Sequence, residues 1–280
     1  MPSVVADPWW APYRRYGEAV VMHVEIAADE STEREAVAWL DEAERSRWMG
    51  YPYPGPRRRF GLCRSALRAI LAAQLGCRGD EIAFGEGDRG KPFVLVRGRP
   101  APISFNVSHS GRHGLIAIAP AGRVGVDIEE RSDRPYLDTV IEAVLSREER
   151  SEIEVLSEDL RLYSFYRLWT IKEAIIKAIG AGHSLDVSSI TVPASMRQGS
   201  RTAIYQSRSL PGISLNLEDM GKRTLQQLSR MRYRIDSQQL SFPDTPNPHV
   251  VDNRRTVRIV TAHSSGDIRR TPASHLWGPD

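Results

Sequence analysis

The sequence predicts an α+β fold, and two observations carry that reading. Residues 103–129 form short segments in which apolar and polar residues alternate, and a long helical segment ended by glycine lies on each side of them. A third observation bears on arrangement. At an offset of 108 residues Arg59 matches Arg167, Arg64 matches Lys172, Ala66 matches Ala174, Leu67 matches Ile175 and Ile82 matches Ile190, each time with a long helix followed by a short strand. Chance explains five such pairs as readily as duplication. A duplication would make the chain two similar α+β halves with a cleft between them as the natural ligand site.

In chain order, Ala19 to Ile26 reads as a first strand through Val20, Val21, Val24 and Ile26. Asp41 with Glu44 is a capping box opening a short helix through Trp48, broken by Pro52 to Pro56. Arg57 to Leu75 is a longer helix with Gly76 as its stop. Glu81 to Phe84 is a short strand, 85–92 a glycine-rich loop, and Phe93 to Val96 a strand. A three-stranded meander follows: Ile103 to Ser108, Leu115 to Ala119, and Val124 to Glu129, turned at Ser110-Gly111-Arg112 and Pro120-Ala121-Gly122. Ser146 with Glu149 is a second capping box, and a helix from about Ser157 to Ile179 ends at Gly180. Ser189 to Val192 reads as a strand, Leu225 to Met231 as helical and Thr256 to Ala262 as a strand; Phe242 to Arg255 is Pro-, Asn- and Asp-rich linker, and the last fifteen residues are expected to be loose.

Composition narrows the class. The chain has 280 residues, 41% hydrophobic and 26% charged, close to the globular average, and no apolar run of membrane-spanning length. The first residues, with Trp9, Trp10, Arg14 and Arg15, carry no apolar core of a secretory signal. Cys63 and Cys77 lack metal-ligand spacing and point to a reducing, cytoplasmic setting. A net charge of +3 allows an anionic ligand without demanding nucleic acid.

Chemistry concentrates in two places. On the helix before Gly180, Glu173 falls within an apolar stripe of Leu162, Phe165, Tyr166, Trp169 and Ile176, and Lys177 lies one turn further at its edge. A carboxylate so placed needs a cation, a metal or a proton: it is either a core glutamate paired with Lys177 or Lys172, or a functional group. Asp127 and Glu129, two apart on a strand, share a face opposite Val124, Val126 and Ile128. That face is either a solvated polar one or, with Glu173, a set of three carboxylates without a dedicated counter-charge, suited to Mg²⁺ held jointly with water and substrate phosphates. Gly90-Lys91-Pro92 offers close backbone approach and a point charge. His109, just past a strand, could bond a phosphate, and Arg57, Arg58, Arg59, Arg45 and Arg47 are either solvated charges or parts of an anion site.

Phe105-Asn106-Val107-Ser108-His109-Ser110, Gly125-Val126-Asp127-Ile128-Glu129 and Trp169-Thr170-Ile171-Lys172-Glu173-Ala174, in this order and spacing and with Gly90-Lys91-Pro92 as a fourth motif, resemble the 4'-phosphopantetheinyl transferases of the surfactin (Sfp-like) type. The resemblance covers roughly residues 20 to 200. It implies a pseudo-dimer of two similar α+β halves, here 1–119 and 120–205, with coenzyme A in the cleft between them. It implies Mg²⁺-dependent transfer of phosphopantetheine from coenzyme A to a serine of an apo acyl or peptidyl carrier protein, with release of adenosine 3',5'-bisphosphate. Such an enzyme, a holo-[acyl-carrier-protein] synthase of secondary-metabolite type, is expected to be a cytoplasmic monomer that binds neither nucleic acid nor membrane.

Residue by residue, the resemblance makes Asp127, Glu129 and Glu173 metal ligands. Glu173 is the general base, with Glu129 the second choice, and Lys177 binds the pyrophosphate and supports the leaving group. Ser108 and His109 contact coenzyme A, His109 at the 3'-phosphate; Gly90, Lys91 and Pro92 form the nucleotide loop; Arg45, Arg47 and Arg59 lie near the nucleotide. The segment between Ile128 and Leu160 is the candidate carrier-docking surface. Residues 206–280 match nothing in the family pattern and are expected to be an extension, partly disordered. Two other readings compete: a non-catalytic coenzyme A- or carrier-binding relative disabled by this ending, and a nucleic-acid module built on Arg57 to Arg59, which the modest charge disfavours.

Overall fold

The computed structural model describes residues 9–26, 29–87, 90–132, 136–206 and 214–220, and the backbone of 256–265. The expected helix at Leu225 to Met231, the linker at Phe242 to Arg255 and the last fifteen residues lie outside the described residues.

The chain opens with an antiparallel hairpin, β1 (Trp10–Tyr16) and β2 (Ala19–Glu25). β1 carries Pro12 and a register shift between Pro12 and Arg14, tolerable on an edge strand and the reason it lacks a clean alternation. Helices α1 (Glu30–Val37), α2 (Glu42–Gly50) and α3 (Pro54–Leu75) follow. The capping box at Asp41 and Glu44 is present. α3 begins three residues earlier than expected because proline fits the first helical turn, where its missing N–H is not needed, and Gly76 closes it at φ 60°.

β3 (Ile82–Glu86), β4 (Pro92–Val96) and β5 (Arg99–Pro100) form a small antiparallel sheet. β6 (Ser104–Ser110) and β7 (His113–Ala119) form a hairpin that joins the first two strands in a sheet of order β1-β2-β7-β6. The next strand, β8 (Arg123–Arg131), does not complete a meander. It crosses into a second sheet of order β8-β11-β10-β9, built with β9 (Thr202–Gln206), β10 (Ser214–Asp219) and β11 (Thr256–Ser265). β11 runs parallel to both of its neighbours. The expected boundary at residue 205 therefore falls inside β9, with two further strands of the same sheet beyond it.

Between β8 and β9 lie α4 (Leu137–Val144), α5 (Arg147–Glu154), α6 (Glu158–Ile179) and α7 (Ala194–Arg197). Where a strand was expected at Ser189 to Val192 there is a 3-10 turn, Val187–Ser189, followed by an irregular segment that buries Ile190 and Val192. Their alternation mimicked a strand because both insert into the core from one side.

Three apolar clusters result. α3 packs on the first sheet through Leu62, Leu67, Ile70, Phe105 and Ile116. α6 packs with α4, α5 and β10 through Ile141, Ile153, Ile171, Ile175 and Leu217. The third lies between the sheets, where Val124, Val126 and Ile128 of β8 meet Val21, Leu115 and Ala117. β8 is thus buried on both faces.

A recurring pattern links the two long helices, at a different spacing from the one read in the sequence. α3 and α6 are 22 residues each and end at Gly76 and Gly180. Each is preceded by a capped helix whose third-residue glutamate pairs with a buried cation on the long helix: Glu44 with Arg68, and Glu149 with Lys172. Arg68 thus corresponds to Lys172, an offset of 104 rather than 108.

Candidate active site

Gly125 determines how closely β8 lies on α6. A Cβ there would come 2.2 Å from the Ala174 carbonyl oxygen and 2.5 Å from the Ala178 nitrogen, so only glycine permits the contact. Asp127 and Glu129 continue the same face of β8, while Glu173 and Lys177 immediately precede Ala174 and Ala178 on α6. That close approach brings the two motifs together.

Asp127 is buried, not on a solvated face. Its Oδ1 accepts from Lys177 Nζ at 2.8 Å and from Ser108 Oγ at 2.8 Å, and Lys177 Nζ also donates to Ser108 Oγ at 3.2 Å. Burial alone would lower the Lys177 pKa, but Asp127, with Glu173 and Glu129, outweighs it and holds the ammonium above the ordinary lysine value. The expectation of three carboxylates without a dedicated counter-charge is corrected: Lys177 is that counter-charge. Glu129 is half-buried and its Oε2 accepts from Ser110 Oγ at 3.2 Å.

Glu173 is half-buried and does not lie at the centre of the buried face. α6 packs against β8 on one side and α5 on the other, so Ile171, Lys172, Ala174 and Ile175 are the fully buried positions. Nor does Lys172 serve Glu173. It pairs with Glu149 at 2.6 Å, both side chains fully buried, and donates to the Val144 carbonyl at 2.8 Å.

The basic candidates separate. Lys91 Nζ donates to the carbonyls of Val124, Lys177 and Ala178 at 2.9, 2.9 and 3.2 Å, tying its loop to β8 and to the carbonyl-rich end of α6. Burial, then the charge of Arg123, pushes its pKa down to about 7. Gly90 holds φ 78° and hydrogen-bonds back to Gly87, and Pro92 opens β4. Arg45 donates to the Val37 and Ala38 carbonyls at the end of α1, and Arg47, exposed, lies 5.0 Å over the Phe60 ring. Of the arginine run, Arg57 stacks on Trp48 and Arg58 pairs with Glu33.

His109 is exposed and, by strand alternation, points to the face of β6 opposite Ser108. It stands across from Gly114, whose absent side chain leaves room for Cys63 of α3; Arg59, one turn before Cys63, is close enough to act on that thiol. His109 and Arg59 therefore share the α3 side of the first sheet.

Asp127 Oδ2 is buried and accepts no hydrogen bond among the described residues. A buried carboxylate oxygen left so is costly unless a ligand completes it, and hard oxygen donors on one face suit a hard divalent cation. Among the described residues no three His, Cys, Asp or Glu side chains stand close enough to enclose a metal. The set therefore fits a cation held by one or two carboxylates, with water and substrate oxygens completing the shell. Asn106 and Ser110, to which no role was assigned from the sequence, also bond to β8; their signal was the polar residue at every second position of β6.

The profile of a family described as the 4'-phosphopantetheinyl transferase superfamily matches residues 123–219, including all of β8 to β10. A protein of Synechocystis sp. provisionally described as a 4'-phosphopantetheinyl transferase is 38% identical over 147 residues, 52% of this chain and 59% of its own length. The 4'-phosphopantetheinyl transferase HetI of Nostoc sp. is 30% identical over 165 residues, 59% of this chain and 70% of its own. The 4'-phosphopantetheinyl transferase AcpT of Escherichia coli K12 is 36% identical over 126 residues, 45% of this chain and 60% of its own.

Proposed function

The chain belongs to the 4'-phosphopantetheinyl transferase superfamily, and from that premise we propose that it transfers phosphopantetheine from coenzyme A to a serine of an apo acyl or peptidyl carrier protein. The observation that carries the reading is the convergence of Lys177 and Ser108, from two further motifs, on Oδ1 of the buried Asp127, whose Oδ2 accepts no hydrogen bond among the described residues. The repeated pairing of a capped helix with a long helix supports an arrangement of two similar halves, the surfactin-type architecture.

In this reading the carrier serine oxygen attacks the phosphorus that bears the pantetheine arm. A new P–O bond forms, the pyrophosphate P–O bond breaks, and adenosine 3',5'-bisphosphate leaves. Asp127, with Glu129 or Glu173, would hold Mg²⁺ together with water and substrate oxygens, and the ion would supply charge neutralisation at the pyrophosphate. Lys177, kept protonated by its carboxylates, supplies a second positive charge beside the leaving phosphate. Glu173 receives the serine proton, with Glu129 as the other candidate. Ser108 orients Asp127, and His109 with Arg59 offers cationic and hydrogen-bonding groups for the nucleotide phosphate. Tyr136, Val155 and Leu160 are large exposed apolar side chains in the segment read as the carrier-docking surface.

The test is incubation with coenzyme A, Mg²⁺ and an apo carrier protein, with the carrier weighed by mass spectrometry. A gain of one phosphopantetheine is expected, lost with EDTA and reduced by ~10²-fold or more in Glu173→Ala. A folded chain that modifies none of several acyl and peptidyl carriers would refute the activity.

A further inference from the structure

We propose that Ser110 is a positioning residue for Glu129, the last rung of a side-chain ladder by which β6 holds β8 in register across the gap between the two sheets. The role deepens the proposed function, since it concerns the same carboxylates. β6 and β8 are edge strands of different sheets and form no backbone ladder with each other. In its place Asn106 Oδ1 accepts from the Val126 N–H at 2.8 Å, Ser108 Oγ from the Ile128 N–H at 3.4 Å, and Ser110 Oγ from the Glu130 N–H at 2.9 Å. Each rung advances two residues on both strands, so the polar face of β6 satisfies the successive inward N–H groups of β8.

Side chains do something here that backbone carbonyls would not. A carbonyl only accepts, whereas a serine hydroxyl accepts and still has a proton to give. Ser108 gives its proton to Asp127 Oδ1, and its remaining acceptor capacity is taken by Ile128 N–H and Lys177. Ser110 gives its proton to Glu129 Oε2 while accepting from Glu130 N–H. Each serine therefore anchors the strand and aims the adjacent carboxylate in one group. Past Ser110 the contact persists: at Gly111, φ 56°, a Cβ would lie 2.0 Å from Glu130 Oε2, so that carboxylate covers the turn and keeps β8 alongside. Without the Ser110 hydroxyl, Glu129 Oε2 loses the hydrogen bond that ties it to β6, and its orientation relative to Asp127 relaxes.

The experiment is a Mn²⁺ titration, followed by electron paramagnetic resonance of the free ion, on the full chain with saturating coenzyme A. Wild type, Ser110→Ala and Ser110→Thr are compared well below each melting midpoint. Ser110→Ala is expected to weaken Mn²⁺ binding by ~10-fold or more, as loss of a hydrogen bond behind a metal ligand does, and Ser110→Thr to restore it. In a Glu129→Gln background Ser110→Ala is expected to add no further loss. A purely structural role would lower the melting midpoint while leaving Mn²⁺ affinity as in wild type, or would weaken that affinity equally in both backgrounds; either result overturns the proposal. If the alanine variant does not fold, Ser110→Cys, of similar size with a weak S–H donor, takes its place. A wild-type chain that takes up no Mn²⁺ with coenzyme A present overturns the metal reading itself, and the positioning role falls with it; uptake by wild type that Ser110→Ala leaves intact overturns the positioning role alone.

Discussion

Two lysines on α6 divide the work of the helix. Lys172 is sealed among apolar side chains with Glu149, whose other oxygen accepts from Val192 N–H at 2.8 Å and whose capping role ties it to Ser146. Lys177, five residues on, is half-buried and stands beside Asp127, whose Oδ2 accepts no hydrogen bond among the described residues. Removing one member of a sealed pair leaves a buried charge with nothing to offset it. Lys172→Met is therefore expected to cost ~3–5 kcal/mol of folding stability, read from urea unfolding at pH 7. Lys177→Met is expected to leave the urea midpoint much nearer wild type while abolishing carrier modification. Equal losses of stability in the two variants would refute this division. The distinction was not legible in the sequence: helical spacing places both lysines near Glu173, and only the packing of α5 against α6 shows that Lys172 turns away from it.

At the scale of elements, β2 and β7 carry a histidine pair, His23 buried and His113 half-buried. His23 Nε2 and His113 Nδ1 are 3.0 Å apart, one donating to the other. Burial, then the neighbouring His113, lowers the His23 pKa from 6.5 to about 3. His113 is lowered too, by burial first, against the opposing effect of Glu25 and Glu130. A histidine depressed in the folded state is neutral there and protonated in the unfolded chain below pH 6.5. The pair's contribution is thus complete above that pH and declines as pH falls toward 3. Between pH 6.5 and 5 the wild type should lose about 2 kcal/mol through His23. His23→Gln, which does not titrate there, should show a smaller loss in urea midpoint over the same range, and an identical loss would count against the pair. The elements that place this site were unevenly legible. Capping boxes and glycine stops announced α2, α5 and the ends of α3 and α6, because those signals are local. Alternation identified the faces of β8 correctly but named no partner: periodicity records which side is buried, not which strand pairs, so β8 read as the third strand of a meander it does not join. Asp127 and Glu129 were legible as a same-face pair, while the burial of Asp127 follows from Gly125, whose close contact with α6 is a tertiary fact.

For the whole molecule, the second sheet depends on residues far along the chain. β11 lies between β8 and β10, with Thr261 opposite Asp127 and His263 opposite Glu129 in the parallel register. β10 buries Leu215 and Leu217 against α6, and Asp219 pairs with Arg167 at 2.6 Å, which in turn donates to the carbonyls of Met196 and Ser200. A chain ending at 205 would lose both strands and leave Arg167 a buried cation without its carboxylate, so it is expected not to fold. A chain ending at 220 keeps the Arg167–Asp219 pair but opens a gap between β8 and β10 of about two strand spacings, ~9–10 Å, with unpaired N–H and C=O groups on both sides. β8 carries Asp127 and Glu129 along that opened edge, so the loss should appear in metal binding as well as in stability. A chain ending at 265 retains every described element and is expected to melt as the full chain does. Comparing the three by circular dichroism and Mn²⁺ uptake orders them 265, 220, 205. A chain ending at 220 that matches the full chain in both measurements would show that β11 contributes nothing to the sheet or to the carboxylates beside it.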